Sequence, residues 1–154
     1  MRQCYNSRHN KRWNDSYGHP AGDVLLRELA QLLRSAAAAH DLVARNGGDE
    51  FCLVFVETEK AAAIERAEVL RRAIAAVDVA ALRPPGAAAD VHITASIGVA
   101  AHPEHGDTID ELLATADRAM YGAKHAGRDR IQLGEQRGTL LALPSGARRA
   151  RARS

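Results

Sequence analysis

The chain has 154 residues, 46% of them hydrophobic and 4% aromatic, which suits one domain whose single core is packed mainly by alanine and leucine. No apolar run approaches the ~20 residues needed to cross a bilayer, and the start, Met1-Arg2-Gln3-Cys4-Tyr5-Asn6, lacks a signal peptide's apolar segment, so a cytoplasmic location is expected. Of the 21 basic and 19 acidic residues, five arginines (Arg137, Arg148, Arg149, Arg151 and Arg153) and Glu135 lie from Gly134 onward, which leaves 16 against 18 in the body; that balance argues against a nucleic-acid-binding domain.

Residues 1–10 are polar and read as an atypical N-terminal remnant in which no apolar strand is visible. Asp15 to Asp23 is turn-forming in composition. Leu25, Leu26, Leu29, Leu32 and Leu33 then recur at helical spacing among charged neighbours, which predicts an amphipathic helix of about three turns beginning near Ala21 to Asp23. The alanines 36–39 extend or fray it. Asp41-Leu42-Val43-Ala44-Arg45 and Glu50-Phe51-Cys52-Leu53-Val54-Phe55-Val56 flank Asn46-Gly47-Gly48-Asp49, a strong hairpin signal because glycine tolerates the positive φ of tight turns. The second run is nearly all apolar, as befits a strand inside a covered sheet.

From Glu59 to Ala76 the pattern is helical again, with Ile64, Ala67, Leu70, Ile74 and Val77 on one stripe, and Arg83-Pro84-Pro85-Gly86 breaks the chain. Val91 to Ala100 alternates like a strand, in which Gly98 marks a bulge or a close backbone approach. Ile109 to Ala126 is a helix ended by Gly127 in a left-handed position, and Arg130 to Leu133 is a short last strand. From Gly134 the Arg-rich end reads as a solvated, disordered tail. Cys4 and Cys52, with no regular spacing, read as reduced thiols. The element order α-ββ-α-β-α-β describes an α+β fold, an antiparallel-rich sheet with helices packed on it.

Four separated blocks then converge on one family. Gly47-Gly48-Asp49-Glu50-Phe51 on the hairpin is the eponymous motif of GGDEF domains. Lys11-Arg12-Trp13-Asn14-Asp15-Ser16-Tyr17-Gly18-His19 followed by Gly22-Asp23 resembles the family's F-K-x-x-N-D-x-Y-G-H-x-x-G-D segment. Thr94 to Ala100 resembles its T-x-S-I-G-V-A strand, and Ala116-Asp117-Arg118-Ala119-Met120-Tyr121-Gly122-Ala123-Lys124 through Gly127-Arg128-Asp129-Arg130 is similar to its closing helix. The likeness covers about residues 11–133, between the 1–10 remnant and a 134–154 tail, and implies a nucleotide-cyclase palm, a ferredoxin-like sheet.

The resemblance also implies a function. Two GTP molecules are condensed into cyclic di-GMP across a homodimer, the 3′ hydroxyl of each attacking the α-phosphate of the other as pyrophosphate leaves. Asp49 then holds Mg²⁺ (or Mn²⁺), and Glu50 serves as metal ligand or as base for the hydroxyl. Asn14 and Asp23 read the guanine edge, while Lys124 and Arg128 meet the terminal phosphates. The residue types suit these roles. Carboxylates hold hard cations, asparagine and aspartate offer guanine a donor and acceptors, and Gly47 and Gly48 let backbone approach the nucleotide. A lysine and an arginine four apart lie on one helix face. The bland alternatives are an exposed hairpin tip for Asp49 and Glu50, a solvated helix end for Lys124 and Arg128, and helix caps for Asn14 and Asp23.

The sequence departs from the family in two places. Its first strand ends in D-h-D, whose first Asp binds metal; here those positions fall on Asn6, Ser7 and Arg8. The expected consequences are a sheet lacking its central first strand, weakened two-metal catalysis and an aggregation-prone chain. The family's inhibitory R-x-x-D reads Ala38-Ala39-His40-Asp41, so Asp41 remains without its arginine and no product inhibition is expected there. Such domains follow a sensor or receiver module, which is absent from this sequence. The alternative function is a degenerate module that binds GTP or a protein partner without turnover.

Overall fold

A computed structural model of the chain describes residues 13–82, 84 and 92–136, and the backbone of 2–5. β1 (Arg2–Tyr5) precedes a short helix α1 over 13–17, then α2 (His19–Ser35), β2 (Leu42–Gly47), β3 (Glu50–Val54), α3 (Lys60–Ala75), β4 (Ala95–Val99), α4 (Ile109–His125) and β5 (Arg130–Leu133). The strands form one sheet in the order β2-β3-β1-β4-β5. Every neighbouring pair is antiparallel except β4 with β5. The expected α+β architecture is therefore present.

The expectation of a missing first strand is corrected. Arg2-Gln3-Cys4-Tyr5 is the central strand, with Arg2, Gln3 and Cys4 opposite Cys52, Phe51 and Glu50 on one side. On the other side Arg2 to Tyr5 pair with Gly98 back to Ala95. The reason is that ladder hydrogen bonds are made by backbone, which every non-proline residue carries irrespective of side-chain polarity. A polar tetrapeptide therefore satisfies the facing edges of β3 and β4. The expected aggregation, argued from those edges being open, loses its basis. Asn6, Ser7, Arg8, Lys11, the break at Arg83 and Pro85, and the tail beyond Gln136 lie outside the described residues.

Successive strand residues point to opposite faces, and β4 shows what each face meets. Ala95, Ile97 and Val99 join Phe51 and Leu53 with Leu25, Leu29 and Leu33 of α2 and Ala67, Leu70 and Ile74 of α3 in one core cluster. Gly98 points the other way, where a Cβ would lie 1.9 Å from the Ala116 carbonyl oxygen and 2.6 Å from the Met120 amide nitrogen of α4. Thus α2 and α3 cover one face and α4 the other. All five residues of β4 are buried, so its alternation is one of direction, not of exposure. Its pairing with β1 and β5 runs without a bulge, and Gly98 is there for the close approach.

Helix boundaries follow local chemistry. α2 starts at His19, ahead of the expected Ala21 to Asp23, because Pro20 lies in the first turn, where its missing N–H has no helical partner to lose. Gly18 before it takes φ 80°. The helix runs 17 residues and stops at Ser35, so the following alanines do not extend it. α4 opens with a reciprocal capping box: the Glu111 amide donates to the Thr108 hydroxyl (3.2 Å) and the Glu111 carboxylate accepts from the Thr108 amide (3.3 Å). That box escaped the sequence reading although Thr108-Ile109-Asp110-Glu111 spells it. Leu112 and Leu113 are only half-buried; Thr115, Ala116, Ala119, Met120 and Ala123 make the inner face.

Candidate active site

The β2–β3 hairpin turns through Gly48 and Asp49, with Gly47 opposite Glu50 and a register shift between Arg45 and Gly47. Gly47 and Gly48 take φ of 126° and 53°, backbone that residues with a Cβ adopt with difficulty. Open space surrounds both glycines, so conformation is what requires them. Arg45 braces the turn from its base, donating from Nε (2.9 Å) and Nη2 (2.6 Å) to the Gly48 carbonyl.

This turn drives Asp49 inward. The residue is 8% exposed, and among the described residues Oδ2 accepts no hydrogen bond. Burial pushes its carboxyl above the ordinary aspartate range, while its own backbone amide and the Lys124 charge pull it down. The exposed-tip alternative therefore does not hold for Asp49. Glu50 is half-buried, with Oε1 3.8 Å from Lys124 Nζ in the last turn of α4. Fold thus brings Asp49, Glu50 and Lys124 together from two elements far apart in sequence.

Asn14 sits on α1 beside the start of α2. Its Oδ1 is buried and accepts nothing among the described residues. A Cβ on Gly22 would lie 2.0 Å from that oxygen, so a glycine inside α2 is the condition for Asn14 to lie there. Neither Asn14 nor Asp23 is the N-cap of α2, which is Gly18, and the helix start has no side-chain capping hydrogen bond. Asp23 is exposed at the mouth of a cavity of about 400 Å³ between α2 and the hairpin, shared with Arg27, Arg34, Arg45 and Phe51.

Arg128 departs from the expected helical register with Lys124. α4 ends at His125, and Gly127 (φ 111°) and Arg128 (φ 64°) follow in left-handed backbone. The Arg128 amide donates to the Ala123 carbonyl at 2.9 Å, the six-to-one bond of a Schellman cap. Lys124 and Arg128 therefore do not share a helix face; the turn sets where Arg128 points.

Other residues escaped the sequence reading of the site. Asp117 and Tyr121 share with Glu50 a cavity of about 410 Å³; standing seven and three residues before Lys124, they lie on its side of α4, which is the signal they carried. Asp41, assigned to an incomplete inhibitory site, is engaged internally. It accepts from the Ala38 amide at 2.8 Å, the Val56 amide at 3.1 Å and Arg66 Nη2 at 2.5 Å, and Arg66 also stacks 3.8 Å over the Phe55 ring.

A buried, unsatisfied carboxylate oxygen on Asp49 beside Glu50 has the hard-oxygen character that Mg²⁺ takes. No group of three or more His, Cys, Asp or Glu residues able to hold a metal ion occurs among the described residues. The fit is thus to a cation held by two carboxylates, short of a complete protein cage.

The sequence matches the family model described as diguanylate cyclase, GGDEF domain, over residues 5–130. It is 43% identical over 116 residues to the bifunctional diguanylate cyclase/cyclic di-GMP phosphodiesterase MucR of Pseudomonas aeruginosa, covering 75% of this chain and 16% of that protein. It is 42% identical over 121 residues to diguanylate cyclase DgcM of Escherichia coli, covering 79% and 27%. The chain thus spans less than a third of these curated relatives. Among solved structures it resembles the GGDEF domain of YfiN (TpbB) from P. aeruginosa, with a TM-score of 0.74 and 34% identity over 87% of this chain and 80% of that one. It also resembles the GGDEF domain of DgcB from Caulobacter crescentus in complex with c-di-GMP, with a TM-score of 0.74 and 28% identity over 86% and 74%. With its motif on the hairpin and its sheet matching these domains, the chain belongs to the GGDEF family of diguanylate cyclase domains.

Proposed function

We propose that the chain, over residues 11–133 together with β1, binds GTP and Mg²⁺ or Mn²⁺ and condenses two GTP into cyclic di-GMP and pyrophosphate across a homodimer. The observation that carries this reading is the Asp49 carboxylate, buried with an unsatisfied oxygen on a Gly-Gly turn and placed beside the Glu50–Lys124 pair. Asp49 and Glu50 hold the divalent cation, which when bound draws charge from the phosphate oxygens. Asn14, freed to lie against Gly22, and Asp23 take the guanine edge. Gly47 and Gly48 bring backbone to the nucleotide, and Lys124 and Arg128 hold the terminal phosphates. Glu50 also stands ready to take the hydroxyl proton. The two-fold partner supplies the second GTP, and an upstream sensor or receiver module supplies the input.

Turnover is expected to be weak. The family's first-strand carboxylate falls on Asn6, and an amide does not replace a charged ligand for Mg²⁺. The lack of a third metal-ligating side chain near Asp49 and Glu50, among the described residues, favours as second reading a module that binds GTP or a protein partner without turnover. Product inhibition through Asp41 is not expected: Ala38 stands in place of the arginine, and the carboxylate is occupied by Arg66 and two backbone amides.

The test is incubation of the purified chain with GTP and Mg²⁺ or Mn²⁺, with Glu50→Ala as control, followed by mass-resolved chromatography. Cyclic di-GMP that disappears in the control supports the cyclase. GTP binding without product from folded protein supports the second reading, and no GTP binding overturns both nucleotide readings.

A further inference from the structure

The left-handed turn that carries Arg128 is restrained from outside its own connection. Gly127, Arg128 and Asp129 take φ of 111°, 64° and 46° in succession. Two of the three carry a Cβ, and such backbone is disfavoured for L-residues; it persists where the surroundings over-determine it. Two restraints are local: the Arg128 amide to the Ala123 carbonyl (2.9 Å) and Arg130 Nε to the Arg128 carbonyl (3.0 Å). The third comes from α3, 58 residues away, where Arg71 Nη1 donates to Asp129 Oδ1 at 2.6 Å.

Arg71 is itself held. Its Nε and Nη2 grip the two oxygens of Glu68 at 2.9 and 2.7 Å, the planar fork that makes arginine a directional clamp. Its side chain is 19% exposed, and α3 is anchored on the sheet by Ala67, Leu70 and Ile74. A rigid helix thus reaches the turn through a fixed guanidinium. The Arg128 Nε is buried and donates to no described residue, so the direction of its side chain is inherited from the turn.

We propose that Arg71 is a positioning residue for GTP, clamping Asp129 so that the 127–129 turn presents Arg128 to the phosphates in one orientation. This rests on the reading of Arg128 as a phosphate ligand. It extends that reading to a residue on another helix that touches no substrate, and it predicts an effect confined to the phosphate end of the nucleotide.

The test is calorimetric titration of the full chain with a non-hydrolysable GTP analogue and with guanosine, for the wild type, Arg128→Ala, Arg71→Ala, Arg71→Lys, Asp129→Asn and the Arg71→Ala/Arg128→Ala double variant. Arg71→Ala is expected to weaken the analogue about tenfold, as loss of a residue that orients a ligand-binding group does, and to leave guanosine unchanged. Arg71→Lys and Asp129→Asn, which keep the turn's geometry permissible, should fall between and serve if Arg71→Ala does not fold. In the Arg128→Ala background, Arg71→Ala should add less than about twofold, since the residue it acts through is gone. Equal weakening of guanosine, or full additivity in the double variant, would reduce Arg71 to general stabilisation and overturn the proposal. No analogue binding by the wild type, or none lost in Arg128→Ala, defeats the reading of the site itself and this inference with it. An unchanged Arg71→Ala beside a weakened Arg128→Ala defeats this inference alone.

Discussion

Asp49 and the half-buried Asn14 each hold a buried side-chain oxygen left unsatisfied among the described residues, and each carries a measurable consequence, for stability at Asp49 and for nucleotide binding at Asn14. For Asp49 the folded carboxyl is raised above its unfolded value by burial. The folded state therefore holds the proton more tightly, and stability is lost as pH rises from the unfolded pKa through the folded one. Above that window the full penalty of a buried charge remains. Asp49→Asn should remove it, raising stability at neutral pH by about 1 kcal/mol, roughly 3 °C in Tm, and flattening the acid limb of the stability curve. The same change should abolish any rise in Tm on adding Mg²⁺ with GTP. Thermal melts across pH, with and without ligand, check both outcomes. At Gly22 a methyl group would meet the Asn14 oxygen at 2.0 Å. Gly22→Ala should gain helix propensity yet displace the Asn14 amide, weakening GTP binding about tenfold with little change in Tm. Titration with GTP against ATP checks this, because only the guanine contribution should fall.

At the scale of elements, β4 and α4 are joined backbone to backbone at Gly98. A Cβ there has no flexible side-chain end to push aside, only backbone, the Ala116 carbonyl oxygen at 1.9 Å and the Met120 amide nitrogen at 2.6 Å. Gly98→Ala should lift α4 from the sheet and cost about 3 kcal/mol or more, read as a lowered midpoint in urea denaturation. The opening of α4 is a milder case. Thr108→Ala deletes one half of a capping box and should cost about 1 kcal/mol, without altering nucleotide affinity, since the box is at the far end of the helix from Lys124. The elements themselves were largely legible. The hairpin around Gly47-Gly48, the α3 stripe from Ile64 to Ile74 and the last strand from Arg130 to Leu133 stand where their periodicity and turn residues placed them. Those signals are local, and the backbone obeys them locally. The start of α2 was misplaced because His19-Pro20 lacks the apolar repeat that marks the rest of the helix.

At the scale of the whole molecule, the sheet is closed by a strand with no apolar pattern. β1 lies between β3 and β4, so its removal would open the two innermost edges of the sheet at once. A chain lacking residues 2–5 should lose its cooperative unfolding transition and aggregate. The single tryptophan, Trp13, is fully buried, so fluorescence reports the outcome: blue-shifted, quencher-resistant emission in the full chain and red-shifted, quenched emission without β1. A cooperative transition retained by the shortened chain would mean that β1 adds little to the fold.

Sequence by itself determined the family, the α+β class and the identity of the motif residues, because turn glycines, amphipathic stripes and linear motifs are written in neighbouring positions. Tertiary structure alone decided the rest. It made Arg2–Tyr5 the central strand, since pairing depends on two distant edges and not on the strand's own side chains. It buried Asp49, set Asn14 against Gly22, and turned Arg128 out of helical register with Lys124. It also brought Arg71 from α3 to Asp129, a contact between positions 58 apart that no local pattern encodes, because it exists only once α3 and the β5 connection are packed on the same sheet.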